Sequence, residues 1–208
     1  MVDMDDQIVL DLTNLGCCRG EQALFSGLHY SLAQGKLLQI VGPNGAGKTS
    51  LLRMLLGLLK PTTGQVIWHN EALLYIGHSN AVKPELTVFE NLKFQFLLPN
   101  VRRATCRDVL CRLQLDTYMD TVCRQLSQGQ QQKVALARLF MTDAKIWILD
   151  EPLTALDRQA VEILQTFFLE QLNKGITIIM TTHRPLSLAD LPVLTLDLTQ
   201  FQSEVVSC

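Results

Sequence analysis

The sequence predicts an α/β fold with a mostly parallel sheet. Three observations carry that reading. Short apolar strands alternate with helical stretches along the chain. A glycine-rich turn, Gly42-Pro43-Asn44-Gly45-Ala46-Gly47, joins one such strand to a helix. A second apolar strand, Lys145-Ile146-Trp147-Ile148-Leu149, runs into two acids, Asp150 and Glu151.

Composition narrows the class. The chain has 208 residues, 48% of them hydrophobic and 18% charged, which is an ordered globular composition. It is apolar for a free-standing monomer and leaves room for a partner surface. Lys plus Arg number 18 and Asp plus Glu 20, so the net charge of -2 argues against a bulk nucleic-acid binder. The longest apolar candidate, Leu51 to Leu59, is broken by Arg53 and Gly57 and falls short of the ~18 residues of a membrane span. The first residues, Met1-Val2-Asp3-Met4-Asp5-Asp6, are acidic where a signal peptide is basic. The expectation is a chain neither secreted nor self-anchored. Cys17, Cys18, Cys106, Cys111, Cys123 and Cys208 form no Cys-x-x-Cys pair, so free thiols in a reducing cytosol are expected rather than a zinc or covalent haem site.

The elements follow in order. Leu37 to Val41 reads as a buried strand. A helix is expected from about Lys48 to Leu59, apolar on more than one side, with Lys60-Pro61-Thr62-Thr63-Gly64 ending it. Val66-Ile67-Trp68 and Leu73-Leu74-Tyr75-Ile76 read as strands. From about Lys83 to Arg124 the character turns helical, opened by a Thr87-to-Glu90 capping box. Arg102, Arg103, Arg107 and Arg112 read there as a solvated face. Ser127-x-x-Gln130 reads as a capping box for a helix from Gln131 to Met141. A helix opens at Asp157 with Val161, Leu164, Phe168 and Leu172 on one face, and ends before Gly175. The strand Ile176 to Met180 follows it.

Gly42-x-x-x-x-Gly47-Lys48-Thr49 is the phosphate-binding P-loop pattern. Its glycines let backbone amides wrap an anion, and the next helix adds the positive end of its dipole. The candidate cradle is Gly42, Pro43, Asn44, Gly45, Ala46, Gly47, Lys48, Thr49 and Ser50. Lys48 would reach the β- and γ-phosphates of a nucleotide, and Thr49 would serve Mg2+. The competing reading is an ordinary glycine-rich turn. Asp150 at the end of an apolar strand matches a Mg2+-holding acid, and Glu151 beside it can polarise a water. Alone, two such acids read as a loop start or helix cap. Ser127 and Gly129 at a helix start form a further anion site, with a plain cap as the alternative.

These segments resemble ABC-type ATPases. Gly42 to Thr49, Leu126 to Gln130, Asp150-Glu151, Thr154-Ala155-Leu156-Asp157 and His183 stand in that family's order. The resemblance implies a P-loop NTPase (RecA-like) core with antiparallel β strands and an inserted helical subdomain. It implies one domain over 1–208, with the core at about 1–80 and 126–208 and the helical subdomain at about 83–125. It also implies a head-to-tail dimer, each ATP lying between one chain's P-loop and the other's Leu-Ser-x-Gly-Gln segment. Ser127, Gly129 and Gln130 would then serve the partner's ATP. Glu151 would be the general base, His183 the γ-phosphate switch, and Asp157 would lie at the seam. Three positions depart from the pattern. Gln128 stands where glycine is commoner, and its side chain can point away. His78 stands at the glutamine of the Q-loop, with a plain loop histidine as the alternative. Arg19 stands at the adenine-stacking position, with a solvated arginine as the alternative.

A closer resemblance is to the CcmA family, the ATP-binding subunits of bacterial cytochrome c biogenesis. It rests on Leu24-Phe25-Ser26-Gly27-Leu28, Tyr75-Ile76-Gly77-His78, Val134 to Leu139, Trp147 to Pro152 and Thr181 to Leu186. That family implies ATP and Mg2+, the membrane partner CcmB with CcmC and CcmD, and CcmE indirectly. It implies no nucleic acid, and a place on the cytoplasmic face of the inner membrane. Ala81, Val82, Leu86 and Val88 suggest a groove for a membrane-subunit helix, with internal packing as the alternative. The alternatives in function are the ATPase of another ABC importer or exporter, a soluble non-transport ABC ATPase, or a P-loop kinase.

Overall fold

Strands with both faces covered must be apolar throughout, whereas strands with one wet face alternate. Both kinds occur here. In chain order the elements are β1 (Ile8–Arg19), β2 (Gln22–Ala33), β3 (Leu37–Val41), α1 (Lys48–Leu55), β4 (Thr63–Trp68), β5 (Leu73–Ile76), α2 (Val88–Gln95), α3 (Cys106–Arg112), α4 (Gln128–Leu136), β6 (Ile146–Leu149), α5 (Arg158–Leu172), β7 (Thr177–Thr181) and β8 (Val193–Asp197). The computed structural model describes residues 7–20, 22–69, 72–77, 82–95, 106–182 and 193–202.

The apolar strands form a parallel five-stranded sheet in the order β5-β6-β7-β3-β8. A separate antiparallel sheet has the order β2-β1-β4. The two-residue period of a strand divides each central strand between two cores. Ile146 and Ile148 of β6 join the core built with β1, β2 and α1. Trp147 and Leu149 join the core built with α4 and α5. Trp147 is buried, and its indole N–H donates to the Ala144 carbonyl at 3.1 Å. Phe167 stacks on Phe140 with ring centroids 3.9 Å apart, a pairing worth about 0.5–1.5 kcal/mol beyond its buried area.

A third apolar cluster lies among the helices between β5 and β6, around Val88, Leu92, Leu110, Cys123 and Met141. The Thr87–Glu90 capping box forms there as expected, with Glu90 N–H donating to Thr87 Oγ1 at 3.2 Å and Thr87 N–H to Glu90 Oε2 at 2.8 Å. Buried Asn91 ties the preceding loop to α2. Its amide donates to the carbonyls of Lys83, Leu86 and Thr87, and its oxygen accepts from Lys83 N–H. Val88 is fully buried in this cluster, Val82 is half-buried and packs against it, and Leu86 is half-buried. Ala81 lies outside the described residues.

Several boundaries differ from expectation. Helix α1 stops at Leu55, not Leu59. Gly57 takes a left-handed φ of 68°, and Leu58 N–H bonds back to the Arg53 carbonyl, which closes the helix before the proline is reached. Helix α4 starts at Gln128, three residues before the expected Gln131, because Ser127 is itself the N-cap; beyond Leu136 it tightens into a 3-10 turn, Ala137–Phe140. Cys17, Cys106, Cys111 and Cys123 are free thiols, but Cys18 is disulfide-bonded, against the expectation of free thiols throughout. Among the described residues no helix is long and apolar enough to cross a membrane.

Candidate active site

In an open parallel sheet the crevice at the carboxyl ends of the strands is where ligands collect. Here β3, β6 and β7 end together, and each delivers a polar residue or loop. From Val41 the chain turns through Gly42, Gly45 and Gly47 at φ of 147°, 84° and 97°, a backbone that L side chains rarely adopt. A Cβ on Gly47 would stand 3.0 Å from the Phe25 ring, so glycine is required there sterically as well. Lys48 opens α1 and is 6% exposed. Its ammonium donates to the carbonyls of Gly42 at 2.8 Å and Pro43 at 3.0 Å, which places a positive charge inside the loop.

Asp150 follows β6 and is buried. Thr49 Oγ1 donates to its Oδ2 at 3.2 Å, and Thr181 Oγ1 donates to its Oδ1 at 2.6 Å. Glu151 adopts a φ of 52°, and its N–H donates to Thr181 Oγ1 at 2.9 Å. Burial first, and then the negative charge of Asp150, pushes the nearby Tyr75 phenol up, with Arg53 opposing. A cavity of about 220 Å³ is lined by Arg19, Leu24, Asn44, Gly45, Gly47, Lys48, Thr49, Ser50 and Glu151. Arg19 therefore opens onto the same hollow as the loop. A larger hollow of about 410 Å³, lined by Arg112, Phe140, Phe167 and Glu170 among others, contains none of these residues.

Ser127 caps α4 in a full capping box: Gln130 N–H donates to Ser127 Oγ and Ser127 N–H to Gln130 Oε1. Ser127, Gly129 and Gln130 are absent from the lining of the loop cavity. Instead their helix leans on the segment after Glu151. A Cβ on Gly129 would meet the Ala155 carbonyl at 2.6 Å. Gln132 donates to the Pro152 carbonyl at 3.0 Å, and Lys133 pairs with Asp157 at 3.3 Å. Asp157 caps α5 by accepting from Ala160 N–H, which together with Lys133 holds its carboxyl below the usual range. Gln128 is exposed. His78 and His183 lie outside the described residues.

The sequence assigns no role to Thr181, Gln132 or Lys133, although Thr181 opens one of the segments that carry the closer resemblance. A threonine closing an otherwise apolar strand, Ile178-Ile179-Met180-Thr181, is the signal that could have flagged the first. Nothing in spacing marks the other two.

This arrangement is that of an ABC-type ATP-binding subunit. Residues 25–154 match the ABC transporter family. The fold resembles an ATP-binding cassette of an ABC transporter in its ADP conformation, with a TM-score of 0.70, 25% identity, and coverage of 86% of this chain and 82% of that one. It also resembles an ABC transporter ATP-binding protein from Pyrococcus furiosus at a TM-score of 0.79, 23% identity, and coverage of 93% and 99%. Relatives named "Cytochrome c biogenesis ATP-binding export protein CcmA" include one from Aliivibrio fischeri, 43% identical over 86% of this chain and 93% of its own length. Another, from Escherichia coli O157:H7, is 41% identical over 92% of this chain and 97% of its own length. The chain belongs to the CcmA family of ABC ATPases.

Proposed function

We propose that the chain binds MgATP in the hollow beside Lys48 and hydrolyses it to drive a membrane complex of c-type cytochrome biogenesis. The observation that carries the reading is the convergence of Lys48, Thr49, Asp150 and Glu151 around one strand-end crevice. The amides from Gly42 to Ser50 would bind the phosphates, with Lys48 swinging from its loop carbonyls onto the β- and γ-oxygens. Arg19 would lay its guanidinium plane on the adenine. The donor set fits Mg2+, because the Thr49 hydroxyl and the Asp150 carboxylate are hard oxygen ligands held side by side. Bound there, the cation would neutralise charge on the phosphate oxygens. Glu151 would take the proton of the attacking water at its carboxylate, and His183 and His78 would contact the γ-phosphate side. ADP and phosphate leave.

Dimerisation and membrane-subunit partners follow from the ABC family. The finer assignment is a head-to-tail pair in which Ser127, Gly129 and Gln130 of one chain close over the ATP of the other. CcmB would be the membrane subunit, with CcmC and CcmD beside it on the cytoplasmic face of the inner membrane. Turnover would power haem export or the release of haem-loaded CcmE. The core would comprise about 1–80 and 126–208, and the helical subdomain about 83–125.

Lys48→Ala tests the site. Deleting the cation inside the loop should remove most ATP affinity in a calorimetric titration, and unchanged binding would remove the assignment. Co-purification of the chain with membranes only when CcmB is co-expressed tests the partner.

A further inference from the structure

We infer that Thr181 is a positioning residue that sets which oxygen of Asp150 is offered to a divalent cation and holds the backbone of Glu151 in register with it. The inference deepens the MgATP reading and rests on it. Thr181 ends β7 and is fully buried. In the order β6-β7-β3 its strand lies between the strand that ends at Asp150 and the strand that enters the glycine-rich loop. It pairs with Ile40 of β3, while Met180 before it pairs with Leu149 of β6. A buried hydroxyl is costly unless its hydrogen bonds are made, and this one makes two.

The hydroxyl has one proton, and it goes to Asp150 Oδ1 at 2.6 Å. A lone pair accepts Glu151 N–H at 2.9 Å. Oδ1 is thereby committed to the fold, and Oδ2 is left on the side of Thr49, 3.2 Å away. The same oxygen that orients the carboxylate also anchors a residue at a φ of 52°, a conformation uncommon outside glycine that persists only where the surroundings over-determine it. Outer partners of a ligating carboxylate fix its orientation and its affinity for metal. Thr181 fills that role for Asp150 and extends it to Glu151. The P-loop threonine and the β7 threonine thus hold opposite oxygens of one carboxylate.

The experiment compares the full chain with Thr181→Val, which keeps the shape without the hydroxyl, and Thr181→Ser, which keeps the hydroxyl. Affinity for a non-hydrolysable ATP analogue is measured by calorimetry in EDTA and in Mg2+; the ratio of the two reports the metal's share. For Thr181→Val the ratio should fall by about 10-fold, the low end of what an outer partner of a ligand carries. Its affinity in EDTA should stay as in the wild type, which also reports a folded site. Thr181→Ser should restore the ratio. Should Thr181→Val fail to fold, Thr181→Ala carries the same comparison. An unchanged ratio in the hydroxyl-less variant, or a Thr181→Ser chain that fails with it, overturns the inference alone. A wild-type ratio of one overturns the Mg2+ assignment and this inference with it.

Discussion

Lys48 turns its ammonium onto two carbonyls of its own loop, at 2.8 and 3.0 Å, so a positive charge already sits inside the glycine-rich turn. Glu151 stands differently. Its backbone is held by Thr181, while its carboxylate accepts a long 3.4 Å bond from Thr154 Oγ1. A base must be able to take a proton, whereas a binding group need only fill its place. Glu151→Gln keeps size and polarity and loses only the proton-accepting carboxylate. It should bind MgATP as tightly as the wild type and turn it over about 100-fold more slowly or worse, the usual share of a general base. Single-turnover phosphate release beside equilibrium binding checks this; a wild-type rate would leave Glu151 as a loop acid. Lys48 and Thr49 were legible in the sequence because a phosphate cradle demands fixed residue types at fixed offsets from one turn, and Asp150 and Glu151 because they close an apolar strand. Thr181 was not. Its role arises from strand order, which sets β7 between β6 and β3, and no spacing along the chain encodes that neighbour relation.

Helix termini decide how the site's parts are joined. Asp157 caps α5 through the 2.8 Å bond from Ala160 N–H, and the same carboxylate meets Lys133 of α4. Asp157→Ala should cost about 1 kcal/mol at neutral pH, the usual value of an N-cap. For a chain of this size that is a melting shift of about 2–4 °C. The pH dependence has a definite sign. Because folding lowers the Asp157 pKa, its charge adds stability above the unfolded carboxylate value of ~3.9 and loses it as pH falls through the folded value. The gap between wild type and Asp157→Ala should narrow in acid melts; a gap that widened there would assign the effect to packing. Capping chemistry was readable in sequence at Thr87, Ser127 and Asp157, because each cap is a local pattern. The stop of α1 was misplaced because the breaker cluster after Leu59 is conspicuous, whereas Gly57 acts by one left-handed residue. Strands β1 and β2 went unread as strands. Register shifts along their pairing interrupt the alternation that marks a half-buried strand, although Leu28-His29-Tyr30-Ser31-Leu32 keeps it locally.

At the scale of the whole molecule, the proposed head-to-tail pair has Ser127 and the glycine-rich loop of one chain serving different nucleotides. The loop cavity is lined without Ser127, and in the proposed head-to-tail pair one chain would supply half of each closed site. The α4 start is nonetheless bound to its own chain's segment after Glu151. Gly129 abuts the Ala155 carbonyl, Gln132 holds Pro152, and Lys133 holds Asp157. In the proposed pair, the surface that would meet a partner's ATP is therefore tied to the loop that follows Glu151. ATP held between two chains should join them, and slow hydrolysis should keep them joined. Light scattering of Glu151→Gln should report a dimer with MgATP and a monomer without nucleotide. Adding Ser127→Arg removes the hydroxyl and puts a large cation at an exposed cap, away from the chain's own loop cavity, so intrinsic ATP binding should survive while the dimer is lost. Withholding Mg2+ should also dissolve the dimer, because Thr49 and Asp150 would then lack the cation that fixes the phosphates. An ATP-dependent dimer that persists with the arginine in place would mean that each chain completes its own site, and Ser127 would revert to a helix cap.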